Sequence, residues 1–273
     1  MRIKITFVRT FKSPNLMPLH HQMVLNRSLA PFIERGGDGK ILYAYSTLKG
    51  SSNVQSGNIT FLNTKVNLIL SSNNEEFLKA TVDKMFEKHV VKIGKMLLMP
   101  KQQQVIEMPV YTSEMKYVCL SPFVIIDSGK EPDRAETIID PTTQEFSDML
   151  FNITMKRMNE AGFTEEELKN FETFEAIADA EYLKKIVENN KRFSRFYRNL
   201  DGQTIIGYLL PFTLHAHPKV QEFICDTGIG LYTLEGYGMV DVVGDKPTPV
   251  AIPKSSNENE NPFAGPSADE FFS

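Results

Sequence analysis

The chain has 273 residues, 41% of them hydrophobic, and a formal net charge of −4, enough apolar material for one large domain or two small ones. No apolar run approaches the roughly 20 residues of a membrane span, and the start reads as an alternating basic strand rather than a secretion signal. Cys119 and Cys225 are the only thiols and imply no disulfide framework, so a cytoplasmic protein is expected.

In chain order, Arg2 to Val8 alternates polar residues with Ile3, Ile5 and Phe7, as a strand does. His20 to Glu34 places Met23, Leu25, Leu29, Phe32 and Ile33 at helical spacing, and Gly36-Gly37-Asp38-Gly39 stops it. Ile41 to Thr47 and Asn58 to Leu70 read as strands. Asn74 to His89 reads as a helix with Glu75 and Glu76 in its first turn, and Val90 to Met99 as a strand. The order β-α-β-β-α-β is that of a ferredoxin-like unit, shared with RNA-recognition modules. A second, less regular cycle follows: strand Lys116 to Ile126, helix Thr142 to Glu160, strand Gln203 to His215, short helix Val220 to Cys225 and closing strand Gly238 to Val243. The expected fold is therefore α+β, with two tandem ferredoxin-like domains, 1–108 and 109–243, and no residue-level repeat between them. The acidic stretch before Lys191 reads as a solvated helical insertion in the second domain. Residues 244–273 have the Pro, Ser, Asn and Glu content of a disordered tail, in which Phe263 and Phe271-Phe272 are the one candidate partner motif.

The net charge is unevenly spread. Residues 161–181 hold seven acids against Lys169, and 244–273 hold five acids against two lysines. Removing those −6 and −3 contributions from the −4 total leaves +5 on the remainder. A basic nucleic-acid face is therefore allowed, though not required. Lys191-Arg192-Phe193-Ser194-Arg195-Phe196-Tyr197-Arg198 interleaves cations for phosphates with aromatic faces for bases. The same alternation also fits a half-buried strand with Phe193 inside. Near the C-terminal end, Gly228-Ile-Gly230 and Gly236-Tyr-Gly238 flank a short loop, where glycine permits φ > 0 and close backbone approach. A dinucleotide fingerprint follows a strand and opens a helix. This loop does the reverse.

This succession of segments resembles the CRISPR-associated endoribonucleases of the Cas-six family, which process precursor CRISPR RNA. The matching segments are the opening strand Met1 to Phe7, Pro18-Leu19-His20-His21-Gln22 before the first helix, the "LSP" strand Tyr117 to Pro122, and the glycine loop, all in order across residues 1–243. The resemblance implies metal-free RNA cleavage by 2′-hydroxyl attack, giving a cyclic phosphate and a 5′-hydroxyl, with repeat RNA as partner and no cofactor. Other CRISPR effector subunits are further expected partners, and the protein is expected to be a monomer or homodimer.

Such chemistry needs a proton shuttle with a pKa near 7, so histidine is the first residue to seek. His20 and His21 open the first helix, where branches of the family keep a catalytic His, and His21 with Lys40 is the expected catalytic pair, His20 being its neighbour. Lys40 matches the lysine that precedes the second strand in that family. Ala30 stands where many members have Tyr, and the segment that should hold a further His is reduced to 34–39. Catalysis thus rests on His20 or His21, proceeds without a His, or is lost. His89 reads as structural, and His215 and His217 as RNA contacts or plain surface. No acid or Cys stands near His20 and His21 at metal-ligand spacing. Expected RNA contacts are Lys191, Arg192, Arg195 and Arg198, with Gly228, Gly230, Gly236 and Gly238 of the loop, although Glu235 there opposes phosphate. A non-cleaving subunit that retains guide RNA is the alternative function. A ferredoxin-like structural or small-ligand module is a third, against which the 191–198 cluster argues.

Overall fold

Alternating burial defines the first strand, β1 (Arg2–Arg9), whose Ile3, Ile5 and Phe7 are all sealed from solvent. The computed structural model describes residues 1–34, 40–125, 138–244 and 250–251. After β1 come β2 (Leu16–Pro18), α1 (Gln22–Leu29), β3 (Tyr43–Tyr45), β4 (Ser52–Gln55), β5 (Asn58–Phe61) and β6 (Lys65–Ser72). The helix α2 (Glu75–Glu87) follows, then β7 (Val91–Ile93) and β8 (Met96–Ile106). Asn74 caps α2 by accepting from the Phe77 amide at 2.8 Å, and Glu75 and Glu76 occupy its first turn. In the sheet, β1 lies between β6 and β8, and β3 pairs the outer side of β6, all antiparallel. The ferredoxin-like order is thus complete in the first domain. Two expected strands are each divided. Asn58 to Leu70 breaks into β5 and β6, and Val90 to Met99 into β7 and β8 around Gly94 at φ +61°. The glycine stop at 36–39 lies outside the described residues.

The second domain runs β9 (Glu114–Cys119), β10 (Phe123–Val124), α3 (Gln144–Glu160), α4 (Glu165–Lys169), β11 (Phe174–Ala178), α5 (Ala180–Glu188), β12 (Ser194–Arg198), β13 (Thr204–Tyr208), β14 (Phe212–Ala216), α6 (Pro218–Thr227) and β15 (Val240–Val242). Its four-stranded sheet, β11-β14-β9-β15, repeats the ferredoxin order around β9. The second strand of this unit is β11, inside the acidic stretch that reads as a helical insertion. Its Ala176 and Ala178 are buried while Glu175 and Ile177 face out. An edge strand of small alternating residues leaves little apolar signal, which explains the difference. The inserted piece is instead α5-β12-β13, which pairs with β10 as a separate sheet, β10-β13-β12. The expected strand Gln203 to His215 accordingly breaks at Pro211, with β13 and β14 in different sheets. Of the expected tail beyond Gly244, only β16 (Val250–Ala251) is described, and its backbone pairs with β8. The remainder, including Phe263 and Phe271-Phe272, lies outside the described residues.

Two cores result. One joins Ile3, Ile5 and Phe7 to Leu25, Leu29, Leu78 and Val82, and the other joins Tyr117, Phe146, Leu150, Phe212 and Ile224. The loop from Gly228 to Gly238 lies where the domains meet. All four of its glycines are buried with φ between 74° and 92°. A Cβ at Gly236 would stand 2.3 Å from the Tyr45 ring of the first domain, and one at Gly238 would stand 2.0 Å from the Ile229 carbonyl oxygen. Gly238→Ala should therefore cost more than about 4 kcal/mol, seen as a lost or steeply lowered thermal transition. Gly202→Ala is the matched control, with φ +78° but nothing within 4 Å of the new Cβ. It should cost only about 1–2 kcal/mol.

Candidate nucleic-acid interface

Of the two adjacent histidines, only one is available. His21, at the entry to α1, is 1% exposed, and its Nε2 accepts from the Leu48 amide at 3.1 Å. That contact fixes the proton on Nδ1, which donates to the Pro18 carbonyl at 3.0 Å. Burial holds its pKa below the ordinary value. Both ring nitrogens are spent on the fold, so the expected His21 base is corrected to a structural residue. Lys40 does not approach it either. The Lys40 side chain lies beside Gly162 after α3, its Cε 3.9 Å from where a Gly162 Cβ would stand. The cation that acts on His21 is Lys49.

His20, one residue earlier, turns outward and edges against the Tyr197 ring at 4.6 Å between centroids. Three contiguous hollows, of about 140, 280 and 340 Å³, all have His20 in their walls. Arg195 lines the first two, Arg192 the second, and Arg198 with Phe196, Tyr197 and Tyr237 the third. The expected cation strand is thus β12, brought by the inserted sheet against the start of α1. Lys191 stands exposed at the turn before it. On β12, Ser194 and Tyr197 are buried while Arg195, Phe196 and Arg198 are exposed. Tyr197 fits because β13 offers Gly207, where a Cβ would come within 2.7 Å of its ring. Partial burial, and then the positive charge of Arg195, lower the His20 pKa below 6.5. Burial pushes the Tyr197 phenol up to about 12. A neutral imidazole beside a guanidinium is an arrangement that can take a proton next to an anion.

The glycines of the loop do not face this surface. The Gly228, Gly236 and Gly238 amides donate to the carbonyls of Ile224, Thr233 and Pro122. A Cβ at Gly230 would meet the Val124 carbonyl oxygen at 2.4 Å. Their expected RNA-contact role is corrected to an architectural one, because three of their amides and the space at all four Cα atoms are used inside the protein. The residue that matters between them is Tyr237, whose hydroxyl donates to the Arg198 carbonyl at 2.9 Å and whose ring meets Tyr197 edge-on. Glu235 accepts from the Leu200 amide at 2.9 Å, so it anchors the β12–β13 turn. Of the remaining histidines, His217 caps α6 by accepting from the Lys219 amide and packs on Phe171, while His215 lies 3.9 Å from Glu114. Sequence reasoning missed Lys49, Gln22 and Tyr237 in the hollow walls. Tyr237, between two glycines, had a signal; Lys49 had none. Among the described residues, no three His, Cys, Asp or Glu side chains group as a metal site, and no helix is long and apolar enough to cross a membrane.

The duplicated ferredoxin-like fold, with a cationic and aromatic hollow at its seam, has the architecture of an RNA-handling protein. A family model described as CRISPR associated protein Cas6, C-terminal, matches residues 105–242. That is half of the chain, and the chain belongs to this family. Its fold is similar to a structure described as a Cas6-related gene product from Pyrococcus furiosus, with 18% identity, TM-score 0.72, and 90% of this chain and 99% of that one covered. It is also similar to an RAMP protein described as binding different RNA substrates, with 18% identity, TM-score 0.71, and 89% and 100% covered. At this identity the likeness is one of fold. No curated protein sequence matches the chain.

Replacing Arg192, Arg195 and Arg198 together with Ala should weaken repeat-RNA binding and flatten its salt dependence. Each lost phosphate contact removes about 0.7 from the log–log slope on a single strand. Filter binding across a salt series measures it, and unchanged slope and affinity would contradict the interface. His21→Ala should cost about 2–4 kcal/mol by stranding the buried Leu48 amide and Pro18 carbonyl. The folded protein keeps His21 neutral where the unfolded chain protonates it. This contribution is complete above pH 6.5 and is lost as pH falls below it. Denaturant titrations at pH 7.5 and 5.5 should show the variant losing less on acidification than the wild type.

Proposed function

We propose that the chain binds CRISPR repeat RNA across the β12 face and cuts it, without a metal, at His20. The observation that carries this reading is the convergence of three hollows on His20 with Arg195 in two of them. The neutral imidazole takes the proton of the 2′-hydroxyl beside the scissile phosphate, and the oxygen so freed attacks phosphorus. The bond to the 5′-oxygen breaks, leaving a cyclic phosphate and a 5′-hydroxyl. Arg195 faces the charge that grows on the phosphorane oxygens. Phe196, exposed on β12, offers ring surface to unpaired bases.

A second reading is a repeat-RNA-binding subunit that does not cut. Ala30, in place of the family's Tyr, and the commitment of His21 to the core favour it. Single-turnover reactions with repeat RNA in EDTA separate the two: product means enzyme, and a gel shift alone means binder. His20→Ala should slow cleavage about 10²–10⁴-fold while affinity stays within a few fold. Because the base must be unprotonated, kcat/KM should fall on the acid side with an inflection below 6.5. Arg195→Ala should move that inflection upward, since the guanidinium is the second cause of the lowered pKa.

A further inference from the structure

The cleavage assigned to His20 leaves one requirement open, a proton for the departing 5′-oxygen. The candidates are the groups in the hollow that His20 shares with Arg195, Tyr197, Lys49, Thr47 and Ser121. Thr47 already donates to the Leu120 carbonyl, and the Ser121 hydroxyl, which accepts from the Met239 amide, is as an aliphatic alcohol a far weaker acid than an ammonium. Arg195 does not release a proton under these conditions. The Tyr197 phenol is raised to about 12 and is the weaker acid. Lys49 remains.

Its position is fixed on both sides. The Lys49 amide donates to the Asn67 carbonyl at 2.9 Å, and the Asn67 amide donates back at 2.7 Å, which locks the residue against β6. The neighbouring Leu48 amide is held by His21 at 3.1 Å. One buried hydrogen bond therefore ties the pair His20-His21 to the pair Leu48-Lys49, and the outer member of each enters the same hollow. Desolvation lowers the ammonium below the ordinary lysine value, which makes it a readier proton donor.

We infer that Lys49 is the general acid of this reaction, an inference that rests on the reading of His20 as its base. His20 accepts the 2′-hydroxyl proton as the O–P bond forms. Lys49 gives a proton to the 5′-oxygen as its bond to phosphorus breaks. The imidazolium and the neutral amine then exchange with solvent, and no oxidant or further reactant is needed.

The test pairs two substrates with two variants. On ordinary repeat RNA, Lys49→Ala and Lys49→Arg should both slow single-turnover cleavage about 10²-fold or more, because a guanidinium keeps the charge but not a transferable proton. On RNA carrying sulfur in place of the scissile 5′-oxygen, the leaving thiolate needs no proton. Both variants should then cleave within a few fold of wild type, which also shows that they are folded, while His20→Ala stays slow. Restoration of ordinary cleavage by Lys49→Arg would overturn the inference in favour of a purely electrostatic role. Equal defects on both substrates would overturn it in favour of a structural or binding role. Lysine variants as fast as wild type would overturn it and leave His20 standing. Failure of the wild type to cut either substrate would overturn the base and the acid together.

Discussion

The backbone of residues 228–238 can lie where it does only because nothing projects from four of its Cα atoms. The Ile229 amide donates to the Gly238 carbonyl at 2.8 Å, and the Gly238 amide donates to the Pro122 carbonyl at 2.7 Å. Contacts this close between main chains leave no room for a side chain. The loop in turn sets Tyr237 under Tyr197 and pairs Leu231 with Val124 of β10. The inserted sheet is thereby held at both ends, and its edge strand presents Arg195 to His20. A motif that invites comparison with phosphate-binding loops works here as a hinge pin between two cores.

The arginines divide into two groups by what surrounds them. Arg2, from the first strand, donates to the carbonyls of Cys225 and Val240 at 2.6 and 2.5 Å, and reaches Asp241 at 3.2 Å. Arg157, from α3, donates to the carbonyls of Gly228 and Thr227 at 2.6 and 2.7 Å, and burial lowers its pKa to about 10. Both guanidinium groups therefore sit at the C-terminal end of α6, where unpaired carbonyls concentrate partial negative charge. Neutral carbonyls take most of their donors, so these guanidinium groups are committed to the fold and not open to a phosphate. Arg192, Arg195 and Arg198 stay exposed on the surface, Arg198 donating to the Gly202 carbonyl at 2.8 Å.

Much of the fold was legible in the sequence because its periodicities are local. Ile3, Ile5 and Phe7 announce a strand, and Asn74 followed by Glu75 and Glu76 announces a helix start. The fold class followed from their order. Small edge strands were harder: Phe174-Glu-Ala-Ile-Ala178 buries little, so its acids outweighed its alternation. The cations of β12 were legible as a set, since spacing and aromatic content mark them. The choice between His20 and His21 was not. It turns on which imidazole meets Leu48, and that residue arrives from 27 positions away. Lys49 was invisible for the same reason, being one lysine before a glycine until the chain folds it into the wall of a hollow that His20 also lines.

The distance along the chain between interacting parts also governs when the protein first becomes competent. Arg2 closes on the Val240 carbonyl 238 positions later, and the hollow around His20 needs Tyr237 from the same late segment. During synthesis the first domain can assemble as soon as β8 leaves the ribosome, since domains fold as units from the N-terminus. The basic hollow is complete only after the glycine loop and β15 have emerged. A nascent or prematurely ended chain therefore carries His20 and the β12 arginines without the Tyr237 ring that completes the third hollow, and the site waits for the last strand.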